Sequence, residues 1–241
     1  MSLKKIEIDR KNNLKSQASW KNKKKVIKFI NYLLESKYLY NFNWLGVPII
    51  QYPSDIVVLQ ELIYKQKPDV IIECGIGHGG SLILYSSILS VIKKKFKIIG
   101  IDIEIKKDNK KNILNHKLSK NIKLIEGSST DIKIIENIKK MIGNKKNILV
   151  ILDSNHTHRH VLNELNVYKK FIKKNNYIVV LDTLIEFINK KFLRNKLFSK
   201  GNSPHSAVKE FLKKNKEFKI SKFYENKAYM TSAYDGFLIK K

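Results

Sequence analysis

A glycine-rich segment between an apolar run and a helix-like run constrains the fold of this chain more than any other feature. The apolar run ends at Glu73, and the chain continues as Gly75-Ile-Gly-His-Gly-Gly-Ser81 before an apolar, helix-like stretch over residues 82–92. A chain that passes directly from a strand into a helix needs residues that tolerate positive φ. Such a turn also exposes backbone N–H groups at a helix N-terminus, where a ligand can bind. The segment therefore predicts a nucleotide-like cofactor site, the alternative being a tight strand–helix turn without a ligand.

The glycine spacing and the acid before it indicate which cofactor to expect. The dinucleotide fingerprint reads G-x-G-x-x-G, whereas this chain has glycines at positions 75, 77 and 79. The Glu73 carboxylate would repel a pyrophosphate, but it suits a ligand that carries an ammonium group. S-adenosylmethionine has an α-amino group and a sulfonium, and an acid before glycines at this spacing is usual in its class I methyltransferases. We therefore predict that Glu73, Gly75, Gly77, Gly79 and Ser81 bind S-adenosylmethionine.

Four further apolar runs are each followed by a polar residue and a helical pattern. They are Lys97–Asp102, Ile122–Glu126, Asn147–Leu152 and Tyr177–Leu181. With the run before the glycines, they predict a parallel sheet with crossover helices. Ligands bind at the carboxyl ends of the strands in such sheets, so we expect the polar ends to meet at one edge. Asp102 follows Gly79 by 23 residues, close to the interval of about 20 expected for the acid that binds ribose hydroxyls.

The densest group of polar residues, Asp153-Ser-Asn-His-Thr-His-Arg-His160, follows the fourth of these five runs. Asp153 and Asp182, which follow two neighbouring runs, carry the hard oxygen ligands that Mg²⁺ prefers. His156 is a candidate general base, because imidazole titrates near neutral pH. The two roles are compatible, since a divalent cation lowers the pKa of a hydroxyl whose proton a base then accepts.

The alternative for this cluster is an aspartate that caps a helix, followed by histidines on the helix surface. We expect that alternative for His158 and His160. An all-histidine zinc site is not expected, because no further cysteine or suitably spaced histidine supports it. The single cysteine, Cys74, is expected to be a small core residue at a strand end and not a nucleophile.

Composition excludes several classes of protein. With 241 residues, 43% of them hydrophobic, the chain is long enough for one α/β domain with a buried core. No apolar run reaches the length of about 18 residues that a membrane span needs, and the polar N-terminus lacks the apolar segment of a secretory signal. We therefore expect no membrane association and a cytoplasmic location. A homo-oligomer is compatible with the sequence.

The net charge of +27 comes almost entirely from lysine, since only three of the 48 basic residues are arginine. Proteins that bind nucleic acid rely on arginine and on aromatic stacking, and the lysines here are spread along the whole chain. We therefore do not expect a nucleic-acid partner. The positive surface instead suits an anionic small-molecule substrate.

The chain divides into a predicted helical arm with a connector, residues 1–55, and a predicted methyltransferase domain, residues 56–241. An apolar stripe predicts an amphipathic helix over residues 21–40. Ser54 or Asp55 is expected to cap the helix that leads to the first strand of the sheet.

Two other stretches each allow two structural interpretations, and a third predicts a hairpin. In the connector, Trp44 and Tyr52 either pack against the sheet edge or form a wall over the cofactor. Residues 184–204 are rich in apolar and basic side chains and form either a lid over the site or a surface helix with a loop. Residues 218–223 and 236–239 are predicted to form a closing hairpin.

Taken together, these segments resemble the cephalosporin hydroxylase/rhamnosyl O-methyltransferase family over about residues 44–239. The matching segments are Trp44-Leu-Gly-Val-Pro-Ile-Ile-Gln-Tyr-Pro-Ser-Asp55, Lys67 to Ser81, Gly127-Ser-Ser129, Leu152-Asp-Ser-Asn-His-Thr-His-Arg-His-Val161, Gly201-Asn-Ser-Pro204 and Ala207-Val-Lys-Glu-Phe-Leu212. The Asp-Ser-x-His-Thr-His block is the most specific of them.

The resemblance implies an α/β, Rossmann-like class I methyltransferase fold: a mostly parallel seven-stranded sheet with helices on both faces and a C-terminal antiparallel hairpin. It implies an S-adenosylmethionine-dependent O-methyltransferase that acts on a sugar or another small polar hydroxyl compound. Cofactor contacts are implied for the glycine turn, Asp102, Ser128 and Asp153, and a Mg²⁺ ion for Asp153 and Asp182.

The chain departs from the family pattern after the fifth strand. Relatives can present two adjacent acids there, whereas Thr183 follows Asp182 in this chain. Either the Thr183 hydroxyl supplies a weaker oxygen ligand, or the site is poor in metal. An RNA methyltransferase and a nucleotide-binding protein without catalysis are the alternative functions.

Overall fold

A seven-stranded sheet forms the centre of the structure, a computed structural model that describes residues 2–93, 95–193, 195 and 197–241. The described residues form nine strands: β1 (Asn43–Trp44), β2 (Val47–Pro48), β3 (Val70–Cys74), β4 (Lys97–Asp102), β5 (Ile122–Glu126), β6 (Ile148–Leu152), β7 (Tyr177–Val180), β8 (Phe218–Ile220) and β9 (Phe237–Lys240). They also form nine α-helices: α1 (Leu3–Gln17), α2 (Trp20–Glu35), α3 (Pro53–Gln66), α4 (Gly80–Ile92), α5 (Lys107–Leu114), α6 (Ile132–Ile142), α7 (His158–Tyr168), α8 (Pro204–Lys214) and α9 (Lys222–Ala228). Short 3₁₀-helices cover Tyr38–Asn41, Ser119–Asn121, Lys169–Phe171, Thr183–Glu186 and Lys190–Phe192.

The strands of the large sheet lie in the order β5-β4-β3-β6-β7-β9-β8, while β1 and β2 pair separately. Neighbours from β5 to β7 are parallel, and β9 is antiparallel to both β7 and β8. The predicted seven-stranded, mostly parallel sheet with a C-terminal antiparallel pair is confirmed, although α9 separates the two strands of the pair. Because β4 and β6 lie on opposite sides of β3, the strand order reverses there. Such a switch point opens a crevice at the carboxyl ends of the strands, where ligands bind.

Hydrophobic cores lie on both faces of the sheet, as the predicted helices on both faces require. The side chains of a strand alternate between the faces, so Ile71 packs with α3 and α4 while its neighbour Ile72 packs with α6, α7 and α8. Every residue of β3 and β6 is buried, and Leu59 of α3 and Phe211 of α8 are fully buried on opposite faces. Each large side chain buried in this way stabilises the fold by roughly 1.5–3 kcal/mol.

The N-terminal helices differ in how much they bury. None of the residues of α1 is buried, whereas α2 buries one face, including Ile30, against a cluster that contains Tyr52. The helix predicted over residues 21–40 is shorter than expected, because Lys37 adopts a left-handed conformation with φ 53° and a 3₁₀-helix follows it. L-residues in that conformation do not continue an α-helix. The division of the chain at residue 55 stays a prediction.

The helix cap predicted at Ser54 or Asp55 is wrong. α3 begins at Pro53, which needs no hydrogen-bond partner for its backbone nitrogen and is therefore well suited to the first helical position. The Ser54 hydroxyl donates to the carbonyl oxygen of Met230, and the Asp55 carboxylate accepts from the backbone N–H of Ser232 at 2.8 Å. Both side chains thus fix the start of α3 to the segment before β9 instead of capping the helix.

Between β7 and α8, the described residues contain no α-helix. The two 3₁₀-helices of this stretch are followed by a turn in which Ser199 pairs with Asn202. Arg194 and Lys196, two basic residues of the predicted lid or surface helix, lie outside the described residues. Among the helices that the structure describes, none combines the length and the hydropathy needed to cross a membrane.

Candidate active site

A cavity of about 710 Å³ opens at the carboxyl ends of the parallel strands. The connector residues 48–51 and the loops that follow β3, β4, β5, β6 and β7 all contribute to its walls. The predicted site residues that line it are Gly75, Gly77, Ser81, Asp102, Ser128, Asp153, His156 and Asp182. A cavity of this size is typical of sites for drug-sized ligands and cofactors, which measure about 300–1,000 Å³.

The glycine turn is shaped by close backbone contacts at one position and by open space at another. Gly75 has φ 84°, and a Cβ atom there would lie 2.2 Å from the carbonyl oxygen of Asp153. Gly77 has φ 51°, and a Cβ atom there would meet nothing within 4 Å. The Asp102 carboxylate fixes the turn, because its Oδ2 atom accepts from the N–H groups of Ile76 at 2.9 Å and Gly77 at 3.3 Å. The turn therefore presents a fixed strip of backbone to the cavity.

Glu73 and Gly79 are not among the residues that line the cavity. Gly79 has φ 89°, and a Cβ atom there would lie 2.2 Å from the side chain of Ile113, so packing against α5 requires glycine. Glu73 is buried below the turn, where its carboxylate accepts from the hydroxyls of Ser81 at 2.6 Å and Tyr85 at 2.8 Å. Burial raises the pKa of Glu73 to about 7, although these two hydrogen bonds oppose the shift.

An imidazole and two carboxylates converge at the other end of the cavity. The Nε2 atom of His156 lies 3.3 Å from Oδ2 of Asp182 and 3.8 Å from Oδ1 of Asp153. The three side chains offer ligand atoms that all lie within 4.8 Å of one another. Asp182 has φ 54°, a left-handed conformation that aspartate tolerates better than most residues. It directly follows the apolar residues that continue β7.

The two carboxylates lie close to each other and to the His156 imidazole. Within the described part of the chain, no lysine or arginine forms an ion pair with Asp153 or Asp182. The pKa of Asp153 is raised well above its usual value, first by burial and then by the negative charge of Asp182. A divalent cation between the two acids would relieve this repulsion, and carboxylate oxygens are the ligands that Mg²⁺ prefers.

The stretch between β7 and α8 reaches the same end of the cavity. The Phe198 ring lies 5.1 Å from the His156 ring, centroid to centroid. The Asn202 side chain accepts a hydrogen bond from the backbone N–H of His158, at the start of α7, at 2.9 Å. The position of Phe198 is compatible with the predicted lid, which stays a prediction.

The structure decides the alternatives for three residues near the site. Trp44 packs against the core and its indole N–H donates to the Ser87 hydroxyl at 3.0 Å, and Tyr52 is buried in the cluster beneath α2. Both side chains therefore pack within the fold as the first alternative expects, and neither lines the cavity. The Thr183 hydroxyl is fully buried and donates to the carbonyl oxygen of Ser232 at 3.1 Å, so the suggestion that it ligates a metal is wrong.

Several residues on the cavity walls had no predicted role, among them Gln51, Ser154 and His160. His160 was expected to be a surface histidine, but the first turn of α7 places it beside the loop that follows β5. α7 begins at His158, so His156 lies in the loop before the helix and does not share a helix face with His160. His158 instead contacts Ser206 and Glu210 of α8, with ring nitrogens 2.8 and 3.0 Å from their oxygens.

Known families and sequences with similarity to this chain are O-methyltransferases of one family. The family model for rhamnosyl O-methyltransferase/CmcI matches residues 36–241. A rhamnosyl O-methyltransferase from Mycobacterium tuberculosis H37Rv is 28% identical over 201 residues, which cover 82% of this chain and 77% of the relative. A rhamnosyl O-methyltransferase from Mycobacterium leprae is 26% identical over 204 residues, with 82% of each chain covered.

A solved structure of CmcI with Mg and SAM has the same fold. The TM-score is 0.59 with 18% sequence identity, over 84% of this chain and 77% of CmcI. This similarity confirms the class I methyltransferase fold that the sequence motifs predict.

Proposed function

Because the chain belongs to the rhamnosyl O-methyltransferase/CmcI family, it is an S-adenosylmethionine-dependent methyltransferase, and we propose that its acceptor is a hydroxyl group of a sugar or another small polar compound. The observation that carries this proposal is the single cavity shared by the glycine turn and the Asp153–His156–Asp182 cluster. Methyl transfer to an alcohol needs a methyl donor and a proton acceptor in one enclosed space. The relatives named above are rhamnosyl O-methyltransferases, which supports a sugar hydroxyl as the acceptor.

We assign cofactor binding to the walls at the β3, β4 and β5 ends. The open space at Gly77 lets a ligand approach the backbone of the turn, and Asp102 is placed to accept from ribose hydroxyls with the carboxylate oxygen that the turn does not use. Ser81 and Ser128 add hydroxyl groups to the same walls. Glu73 orients the Ser81 side chain in this site, because the Ser81 hydroxyl donates a hydrogen bond to the Glu73 carboxylate.

We assign Mg²⁺ to Asp153 and Asp182. The donor set fits, because two carboxylates that lack a lysine or arginine partner among the described residues converge beside one imidazole. Mg²⁺, when bound, supplies positive charge that stabilises a developing alkoxide. A solved relative of this fold carries Mg and SAM together, which supports the assignment.

His156 is the general base in this proposal. The His156 imidazole accepts the proton of the acceptor hydroxyl, and the carboxylates of Asp182 and Asp153, which lie 3.3 and 3.8 Å from its Nε2 atom, stabilise the resulting imidazolium. S-adenosylmethionine, when bound, supplies a methyl group on a sulfonium, so no covalent bond to the enzyme is needed. The Phe198 ring beside His156 covers the imidazole and limits the approach of water to it.

A methyl-transfer assay tests the proposal. The protein is incubated with methyl-labelled S-adenosylmethionine and either a panel of rhamnosides and other glycosides or purified RNA, each with Mg²⁺ or with EDTA. We expect labelled product with at least one glycoside, and less of it with EDTA. Label transferred only to RNA would contradict the proposed acceptor, and a calorimetric titration without binding of S-adenosylmethionine would contradict the cofactor assignment.

A further inference from the structure

A fully buried glutamate lies behind the wall of the cavity at the β5 end. Glu164 of α7 is 0% exposed, and its Oε1 atom accepts from the hydroxyls of Ser129 at 2.5 Å and Ser154 at 2.7 Å. Its Oε2 atom is buried without a hydrogen-bond partner among the described residues. Burying a carboxylate with one oxygen unpaired costs free energy that an apolar side chain would not. Glu164 instead joins Ser129, Ser154 and His160, three polar side chains that all line the cavity.

Glu164 determines which nitrogen of His160 carries the proton. The Nε2 atom of His160 lies 3.3 Å from Oε1 of Glu164 and 3.2 Å from the Ser129 hydroxyl oxygen. Because Ser129 donates its own proton to Glu164, it offers only a lone pair to the imidazole. Both neighbours of Nε2 are acceptors, so Nε2 carries the hydrogen. The Nδ1 atom has no partner among the described residues, and in this tautomer it is a hydrogen-bond acceptor.

The position of His160 in the cavity indicates which part of the cofactor its Nδ1 atom would contact. Ser129, Ser154 and His160 all line the cavity on the side of β5, whereas His156 and the two acids lie towards β7. β4, which ends at Asp102, lies between β5 and the glycine turn. If Asp102 holds the ribose and the methyl group faces His156, the purine base extends towards His160.

We infer that His160 recognises the adenine base of the cofactor, an inference that rests on the proposed function. Its Nδ1 atom accepts a hydrogen bond from the 6-amino group of the adenine. Glu164 is the positioning residue that fixes the required tautomer. A 6-oxo purine places an acceptor where the amino donor stood, so the site rejects hypoxanthine. This discrimination depends on residues at the opposite end of the cavity from the proton-transfer site.

Calorimetric binding of two ligands tests the inference without any turnover. S-adenosylhomocysteine carries an amino group at position 6 of the purine and no proton on N1, whereas S-inosylhomocysteine carries an oxo group at position 6 and a proton on N1. We expect the wild-type protein to prefer the adenosyl ligand about tenfold. His160→Phe and Glu164→Met should bring this preference close to one, while Glu164→Gln, whose amide oxygen still accepts from Ser129 and His160, should keep most of it. His158→Phe is the matched control, because His158 does not line the cavity.

The possible outcomes separate this inference from the proposed function. Equal binding of the two ligands to the wild-type protein, or an unchanged preference in His160→Phe, would overturn the role of His160 and leave the methyltransferase proposal standing. Binding of neither ligand to the wild-type protein would overturn both. Because His160 is partly exposed, His160→Phe is expected to fold even if the buried Glu164→Met variant does not, and it decides the question alone.

Discussion

A Cβ atom at Gly75 would lie 2.2 Å from the carbonyl oxygen of Asp153. The backbone N–H of Asp153 also donates to the carbonyl oxygen of Cys74 at 2.8 Å. The turn assigned to the cofactor is therefore in direct backbone contact with the strand end that carries the first carboxylate. This contact joins the glycine turn to the segment that carries Asp153 and leads to His156, so the two walls of the cavity are packed directly against each other.

Gly75→Ala should destabilise the protein much more than Gly77→Ala. Both glycines have positive φ, which costs an alanine roughly 1–2 kcal/mol. At Gly75 the new methyl group also collides with backbone, whereas at Gly77 it enters open space. We expect the free energy of unfolding, measured by urea denaturation, to fall by about 4 kcal/mol for Gly75→Ala and about 1 kcal/mol for Gly77→Ala. Equal losses would contradict the close approach of the two segments.

His156→Ala should lower kcat by about 10²–10⁴-fold, the range typical for loss of a general base. The affinity for S-adenosylmethionine should change little, because the proposal assigns cofactor binding to the walls at the β3, β4 and β5 ends. Calorimetry with Mg²⁺ adds a second readout. If His156 acts as the base, metal affinity should stay within about threefold of the wild-type value, whereas a large loss would make the imidazole a metal ligand. Unchanged turnover would remove His156 from the mechanism.

Asp182→Asn and Thr183→Val should separate metal binding from folding. Asp182→Asn removes a carboxylate from the proposed site and should weaken Mg²⁺ binding at least about tenfold. Thr183→Val removes a hydroxyl that donates to the buried carbonyl of Ser232, so it should cost about 1 kcal/mol of stability and leave metal affinity unchanged. Calorimetry and thermal unfolding of both variants provide the measurements, and a loss of metal affinity in Thr183→Val would restore the hydroxyl as a ligand.

The central fold was predictable because its signals are local. The runs Ile148–Leu152 and Tyr177–Val180 are continuously apolar, as expected for strands covered on both faces, and the residues after the parallel strands necessarily share one edge of the sheet. The proximity of Asp153, His156 and Asp182 follows from that topology. Helix ends were harder, since the side chain of Asp55 has a tertiary partner, the backbone of Ser232, that no local pattern specifies.

The group formed by Ser129, His160 and Glu164 on the β5 side of the cavity was not predictable for a similar reason. Glu164 reads as an ordinary polar residue within an amphipathic helix, and only the packing of α7 on the sheet buries it completely. Ser129 and His160 belong to different elements and meet only in the folded chain. Sequence patterns identify residues that share one strand end or one helix face. They do not show which buried acid forms hydrogen bonds to residues of two different elements.

Stability should depend on pH through Glu73. Burial raises its pKa from an ordinary value of 4.5 to about 7, so between these two pH values the folded protein binds a proton that the unfolded chain has released. The free energy of unfolding contributed by this group is therefore largest below pH 4.5 and falls as the pH rises towards 7. At about 1.4 kcal/mol per pH unit, the loss across this window is roughly 3 kcal/mol.

Glu73→Gln should remove this dependence, because glutamine stays neutral at every pH in the window. Urea denaturation of both proteins at several pH values between 4.5 and 7 measures the difference. Asp55, whose pKa burial raises to about 6, titrates in both proteins and cancels in the comparison. A protonated glutamate and a glutamine each present one donor group and one carbonyl oxygen to Ser81 and Tyr85, so the two proteins should have similar stability at low pH. The stability of the wild-type protein should therefore fall below that of the variant as the pH rises, and parallel curves would show that Glu73 is ionised in the folded protein throughout this range.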